Sequence, residues 1–282
     1  MGPRSVDNVA RQHQRLGLNT VDGMKILTCN AGYLLGYQNV LWGYVPPPVG
    51  SVLGDGKTER QKLAQLVSVI DTEQPDVVSL LEVDQGSHRT VTGGQYRTLI
   101  HSLHERELPY EGTVANKYGT GVVSSLPFFR SLGNAMLSRT DRPMRTHYLT
   151  AGRKRLVIET ALTESLVLFT VHLSLGAKTR VRQLAELKAL ITRRAAGRDV
   201  IVTGDFNTFN DVGTLEQFAE RTKLTIWIPG ETVPSRPLDD LLINSRSLDL
   251  FLCSPTVEIT RCDVLDVQLS DHRPVVLELS ST

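Results

Sequence analysis

Residues 201–207 read Ile-Val-Thr-Gly-Asp-Phe-Asn. The apolar run from Asp199 to Thr203 has the length and β-branched content of a short buried strand, and Gly204 breaks it. A glycine permits a sharp turn and a close backbone approach that a side chain would block. Alternate residues of an extended segment point the same way, so Asp205 and Asn207 face one site while Phe206 turns into the core. A carboxylate accepts a proton or binds a hard cation, and a neutral amide holds a phosphate oxygen without adding negative charge. An Asx turn at the end of an ordinary strand is the plainer reading of the same residues.

Other stretches decide between the two, because they end alike. Met24–Cys29 leads into Asn30, Asp76–Leu81 into Glu82, and Leu166–Val171 into His172. Asn30 alone reads as a turn asparagine. Glu82 closes an all-apolar strand, where a carboxylate is costly unless it is paired or holds a metal, and the metal is the favoured reading. A lone histidine by a core strand is more often structural, but a third polar strand end favours function for His172. Asp249 is embedded in Ser247–Ser254 (SLDLFLCS) and needs a partner there. Ser270-Asp271-His272-Arg273-Pro274 precedes the closing strand Val275–Leu279. Polar residues at strand ends along one sheet edge converge, as ligand sites in open α/β sheets do. The set is rich in oxygen and lacks cysteine, which suits Mg²⁺ or Mn²⁺ rather than Zn²⁺.

Between these stretches, helical spacing predicts helices over Thr58–Thr72, with Thr58 as N-cap, and over Tyr96–Leu108, Thr179–Arg194 and Thr214–Arg221. Arg180 and Gln183 share a face of the third, and Gly197 closes it. Lys154–Leu162 and Leu166–Val171 form a hairpin around Thr163–Ser165, and Leu224–Ile228 is a further strand. Tyr118 leads into a strand at Val122-Val123. His101 and His104 read as solvated. Arg139, Arg142 and Arg145 form a turn that either grips phosphate or is a solvated hairpin tip. The loop Tyr33–Gly56 carries Tyr33, Tyr37, Trp42 and Tyr44, which either stack on a substrate ring or pin the loop. Tyr118, Arg139, Tyr37 and Trp42 are the substrate-binding candidates.

The 282 residues suit one large domain, placed at 24–282, behind a polar and poorly ordered segment 1–23. No linker or internal repeat divides it. With 31 Lys+Arg against 30 Asp+Glu, the chain does not read as a dedicated non-specific nucleic-acid binder, though a local basic groove stays open. No apolar run is long enough to span a bilayer, and the N-terminus lacks the apolar core of an export signal. Together with three unpaired-looking cysteines, this places the protein in the cytoplasm with reduced thiols.

The ordered set Thr28-Cys29-Asn30, Leu81-Glu82, His172-Leu173, Gly204-Asp205-Phe206-Asn207, Leu248-Asp249 and Ser270-Asp271-His272-Arg273-Pro274 resembles the endonuclease/exonuclease/phosphatase superfamily, the deoxyribonuclease-I-like fold. Arg180, Gln183 and Leu184 also look like the helix that follows the family's histidine. Leu248-Asp249 fits the family's Leu-Asp element better than Leu238-Asp239 does. Strand and helix alternation alone suggests a parallel doubly wound sheet. The resemblance implies instead an α/β (α+β) four-layer sandwich, two mostly antiparallel sheets face to face with helices outside.

By the same resemblance the activity is Mg²⁺-dependent attack of water on a phosphoester, of nuclease or phosphodiesterase type, with Mn²⁺ as a substitute ion. Glu82 binds the ion, with Asn30 and Asp271. Asp249 holds His272. Asp205 and His272 stand next to the attacking water and the scissile phosphate, the base being either one. Asn207 and His172 hold phosphate oxygens. The partner is a phosphoester substrate, nucleic acid among the options. The competing readings are a non-catalytic phosphate- or nucleic-acid-binding module on the same fold, and a lipid or inositol phosphoesterase.

Overall fold

The strand that ends at Asp205 has a counterpart in a second sheet, and the two sheets lie face to face. The computed structural model describes residues 23–34, 56–86, 93–119, 129–209, 211–233 and 246–280. Its strands are β1 (Lys25–Asn30), β2 (Val77–Asp84), β3 (Glu111–Asn116), β4 (Leu132–Ser138), β5 (Met144–Tyr148), β6 (Leu156–Ala161), β7 (Leu166–His172), β8 (Asp199–Asp205), β9 (Thr225–Trp227), β10 (Asp249–Cys253), β11 (Ile259–Val264) and β12 (Val275–Leu279). The helices are α1 (Gly56–Glu73), α2 (Gln95–His104), α3 (Ala177–Arg194) and α4 (Val212–Thr222). One sheet runs β11-β12-β1-β2-β4-β3, the other β5-β6-β7-β8-β10-β9. Residues 1–22, and with them nearly all of the segment expected to be poorly ordered, lie outside the described residues.

Each sheet has one parallel pair at its centre, β1 with β2 and β7 with β8, flanked by antiparallel neighbours. A parallel pair needs a crossover, and α1 and α3 supply the two. The arrangement is the expected four-layer sandwich, and strand alternation builds its three apolar layers. Ile26, Val77, Leu168, Ile201, Phe251 and Val275 point inward and fill the space between the sheets. Leu27, Cys29, Val78 and Leu80 point outward against α1 and α2. Val167, Phe169, Val171, Val200 and Val202 point outward against α3 and α4.

Toward one end, the layer between the sheets turns polar. Thr28 meets Thr203 at 2.9 Å and Ser79 meets Thr170 at 2.7 Å, all four buried. Each hydroxyl finds its partner across the gap, which removes the penalty of burying it. One alternation further on lie Asn30, Asp205 and His172, each two residues past its threonine.

Several boundaries move. Thr58 lies inside α1, which begins at Gly56, so it is not the N-cap. The predicted strand at Asp76–Leu81 continues through Glu82 to Asp84. The arginine-rich turn is partly strand, because Arg145 sits on β5. Val122-Val123 lie outside the described residues. The three cysteines are free thiols, with Cys29 and Cys253 buried. Among the described residues no helix is long and apolar enough to cross a membrane.

Candidate active site

The topology gathers six chain segments at one rim. Parallel pairing places the C-terminal ends of β1 and β2 side by side, and likewise those of β7 and β8. Facing the two pairs brings Asn30, Glu82, His172 and Asp205 together. Antiparallel neighbours then contribute their beginnings. Asp249 opens β10 opposite Asp205, and His272 precedes β12, whose Val275 pairs with Thr28. Ser270 ties the last segment down: its hydroxyl donates to the Asn30 carbonyl at 2.5 Å and accepts from the His272 N–H at 3.0 Å.

Gly204 is required by this geometry. Its φ is +134°, and a Cβ there would lie 1.9 Å from the Val171 carbonyl oxygen of the neighbouring strand. Beyond it Phe206 is buried in the outer core, and Asn207 adopts φ 52°. The Asn207 N–H donates to Asp205 Oδ1 at 2.9 Å, the Asx turn foreseen as the plainer reading, and its amide donates to the Leu173 carbonyl at 2.8 Å. The turn and the site are one structure.

Glu82 reaches the rim by a different device. Ser79 points inward, so simple alternation would bring Leu81 to the inner face and turn Glu82 outward. Between Leu80 and Val83, β2 has one residue more than β4, which is a β-bulge. Glu82 occupies it with φ 55°, and the Asn134 side chain accepts its N–H at 3.1 Å. The extra residue switches parity and swings the carboxylate inward. A non-glycine residue held at positive φ costs on the order of 1–3 kcal/mol, and such positions gather at functional sites. Tyr33, Glu82 and Asn207 all share this conformation around the rim.

Charges alternate across the site. Glu82 Oε1 lies 2.7 Å from Lys117 Nζ, 3.6 Å from Lys154 Nζ and 3.9 Å from His172 Nε2. Burial would raise the Glu82 carboxyl, but the two ammonium groups hold it well below the usual carboxylate range. His172 Nε2 also touches Lys154 Nζ and lies 3.3 Å from Asp205 Oδ2. Burial, then the Lys154 charge, pushes His172 down to about 4, so its ring is neutral at pH 7. Its Nδ1 is buried with no hydrogen-bond partner. Asp205 also accepts from the Asn30 amide at 3.2 Å. Burial opposes its charge, yet His172, His272 and Lys154 around it keep the carboxyl well below its ordinary value.

His272 is the opposite case from His172. Burial alone would lower it, but the Asp249 carboxylate, 2.5 Å from its Nδ1, raises it to about 10. Asp249 is wholly buried, and the Thr232 hydroxyl accepts from its N–H at 3.3 Å. The pairing of Asp249 with His272 that the resemblance implies is present.

Of the other named residues, Asp271 is half-buried beside His272 and adds negative charge facing it. Tyr118 lines the site, with its ring 5.5 Å from Lys117 Nζ and edge-on to Phe129. Arg139 is not brought there. Its N–H donates to the Asp76 carbonyl and its guanidinium to Gln74, at the beginning of β2. Five residues of strand at about 3.3 Å each put it roughly 17 Å from Glu82. Arg142 donates to the Ala161 and Leu162 carbonyls, and Arg145 lies 4.0 Å from Glu159, so this turn is structural. His101 and His104 stay near solvent beside Glu105 and Glu111. Tyr37 and Trp42 lie outside the described residues.

Sequence reasoning missed Lys117, Lys154 and Asn134. It noticed Gln183 without a role. That side chain, fully buried, donates to the Ala151 and Lys154 carbonyls and accepts from Ser174 N–H at 2.9 Å. It thereby fixes the Lys154 segment beside the stretch that follows His172. Arg180 extends the brace to the Leu175 carbonyl and Asp211.

The donor chemistry fits a hard divalent ion. Glu82 offers an ionised carboxylate and Asn30 an amide oxygen, and Mg²⁺ takes one or two such ligands while keeping several waters. Among the described residues no group of three or more His, Cys, Asp or Glu side chains is placed to hold a metal ion, so the fit rests on Glu82 and Asn30.

Comparison with known proteins agrees with this fold. The chain is similar in structure to an endonuclease/exonuclease/phosphatase family protein from Leptotrichia buccalis, with TM-score 0.67 at 17% identity over 91% of this chain and 99% of that one. It is also similar to the mannosyl-6-phosphatase Bt3783 of Bacteroides thetaiotaomicron, with TM-score 0.60 at 16% identity over 91% and 99%. The human Nocturnin catalytic domain with bound sulfate aligns with TM-score 0.61 at 19% identity over 92% and 95%. No curated protein matches it in sequence. Residues 36–272 match the family described as Endonuclease/Exonuclease/phosphatase, and the chain belongs to it.

Proposed function

We propose that this protein hydrolyses phosphoester bonds with the help of Mg²⁺ or Mn²⁺. One observation carries the reading: an ionised Glu82, an ionised Asp205 and a protonated His272, from both sheets, face a single rim. Family membership supports it, since members of the family are phosphoesterases.

Glu82 and Asn30 are the residues to hold the ion. The chemistry supplied by a bound divalent ion is neutralisation of charge on the phosphate and on the leaving oxygen. Asp205 is held on both oxygens, by the Asn30 amide and the Asn207 N–H, so it is oriented to accept a proton from the attacking water. The Asp249 carboxylate favours the charged form of His272, which suits the ring to donate; with Nδ1 on Asp249, its Nε2–H donates to a phosphate oxygen where negative charge grows. His172, neutral, sits between Lys154 and Asp205 and separates the two charges.

The test is hydrolysis of a chromogenic phosphate ester with Mg²⁺ and with Mn²⁺ by the wild type, Glu82→Ala and His272→Ala. Both variants should lose activity by orders of magnitude. Equal rates in all three proteins would overturn the proposal.

A further inference from the structure

Beside the rim, the start of α3 exposes side chains that neither the core nor the site accounts for. Among the described residues four large apolar side chains are exposed, and two of them, Leu175 (65% exposed) and Val181 (50%), flank the first turns of this helix. Leu175 stands just before the Gly176 cap, three residues past His172. Its backbone is braced: the Arg180 guanidinium donates to the Leu175 carbonyl at 2.9 Å and reaches Asp211 at 3.2 Å. The exposure of Leu175 is thus built into the turn.

Cations surround the two aliphatic side chains. Lys178, Val181 and Arg182 stand three and four residues apart, so they share one face of α3, and all three are exposed. Arg153, also exposed, joins them from the loop before β6, because its neighbour Gly152 packs on α3: a Cβ there would lie 2.7 Å from the Thr179 side chain. Among the described residues none of Arg153, Lys178 and Arg182 has a hydrogen-bond or ion-pair partner. The carboxylates tied to the same segments are already engaged. Glu186 accepts from the Thr150 hydroxyl at 2.6 Å and from the Ala151 N–H at 3.1 Å, and Asp211 accepts from Arg180 and Thr214. The exposed acids of α4, Glu216 and Glu220, lie one and two turns beyond its start at Asp211, so the patch stays positive at the rim.

A cationic patch attracts phosphate from any source, and the aliphatic side chains choose among the sources. A nucleic-acid backbone offers phosphate and sugar, with nothing to bury Leu175 or Val181. Protein interfaces favour aromatic anchors and are depleted of lysine, and none of these five residues is aromatic. An anionic bilayer presents phosphates with acyl chains just beneath them, which suits aliphatic side chains ringed by cations. We propose that the start of α3 and the Arg153 loop form a docking surface for an anionic phospholipid bilayer, with Arg153, Lys178 and Arg182 on the head groups and Leu175 and Val181 at the acyl boundary. The surface adjoins the rim, so docking brings the candidate site close to the head groups, but the docking itself does not depend on that site.

The test is co-sedimentation of the full chain with phosphatidylcholine vesicles, with and without phosphatidylserine, in chelator. Each cation near an anionic surface is worth about fivefold in affinity, so three should favour the phosphatidylserine vesicles by about 100-fold. Lys178→Ala with Arg182→Ala should lose about 25-fold of that. Leu175→Ala should weaken binding about tenfold by removing part of the inserted chain. These side chains are exposed, so a loss of binding reports on the surface and not on the fold. Equal binding to the two kinds of vesicle, or binding that survives the double substitution, would overturn the proposal. Binding unchanged in Leu175→Ala would do the same, as would tighter binding of a single-stranded oligonucleotide through the same cations, which would assign the patch to nucleic acid. The chelator removes the ion, so failure here leaves the hydrolase reading standing, and a fully active Glu82→Ala would leave the docking surface standing.

Discussion

Asp249 Oδ2 lies 2.5 Å from His272 Nδ1, with the carboxylate fully buried and the ring nearly so. No solvent competes for the contact, so the carboxylate fixes both the orientation and the charge of the imidazole. Asp249→Asn keeps the shape and removes the charge. His272 should then lose its proton near neutral pH, and with it the donor aimed at the phosphate. Catalysis should fall by about 10²–10⁴-fold, the usual scale for a misassigned acid–base group. An NMR titration of the histidine rings checks the cause. A His272 titration unchanged from the wild type would defeat the argument, whatever the rate.

The two histidines push stability in opposite directions with pH. His272 titrates near about 10 when folded, above its ordinary 6.5. Its contribution is complete below pH 6.5 and disappears as pH rises from there toward 10. His172 titrates near about 4, below 6.5, because it is buried neutral beside Lys154. Its contribution is present above pH 6.5 and is lost as pH falls toward 4, where the unfolded chain takes up the proton first. Melting temperatures in chelator should show this on each flank. His272→Gln should flatten the alkaline fall and His172→Gln the acid fall. A variant whose profile parallels the wild type on its own flank would remove that histidine from the account.

What the sequence could reveal depended on how each residue reaches the rim. Asn30, His172 and Asp205 each follow a threonine by two, so ordinary strand alternation carries them inward, and alternation is visible in a sequence. The cost of a carboxylate at the end of an apolar run marked Glu82, but nothing in Leu81-Glu82 signals a bulge; no glycine stands there, and the backbone is held by Asn134 from another strand. Lys117 and Lys154 were invisible for a related reason. They sit at the ends of β3 and β6, beside half-exposed residues, where lysine normally faces water. Only the facing of the two sheets buries them. Edge strands β5 and β11 were unread because their half-exposed, polar residues (MRTHY, ITRCDV) carry little apolar pattern. Arg139 shows the converse: the arginine cluster left both a phosphate grip and a solvated hairpin tip open, and Arg139 was named a substrate-binding candidate, although the strands carry it to the far end.

The Glu82–Lys117 contact should behave as a coupled pair. Glu82→Gln leaves Lys117 buried without its counter-charge 2.7 Å away, and breaking a buried pair this way costs about 3–5 kcal/mol. Lys154, 3.6 Å from the same oxygen, adds to the repulsion. Lys117→Met in the same chain removes the stranded charge, so the double variant should regain most of the loss. Urea unfolding of the wild type, both single variants and the double variant measures the coupling. Additive losses would mean that the two groups stabilise the fold independently, contrary to their geometry.

Gly204 tests whether the rim depends on the close approach of β7 and β8. In the parallel register Val171 lies opposite Gly204 and His172 opposite Asp205. Gly204→Ala would place a Cβ 1.9 Å from the Val171 carbonyl oxygen at φ +134°. Backbone atoms cannot rotate away, so the strands must separate, and the loss should exceed about 3 kcal/mol. Gly197 is the control: its φ is +73°, but nothing lies within 4 Å of a Cβ there. Gly197→Ala should cost only the left-handed penalty of about 1–2 kcal/mol. Strand separation also acts on chemistry, because His172 Nε2 and Asp205 Oδ2 are 3.3 Å apart across that same pair. Gly204→Ala should therefore lose activity even at temperatures where it remains folded, and Gly197→Ala should not. Matching losses of stability and activity in the two variants would show that backbone conformation alone, rather than the contact with Val171, accounts for the glycine.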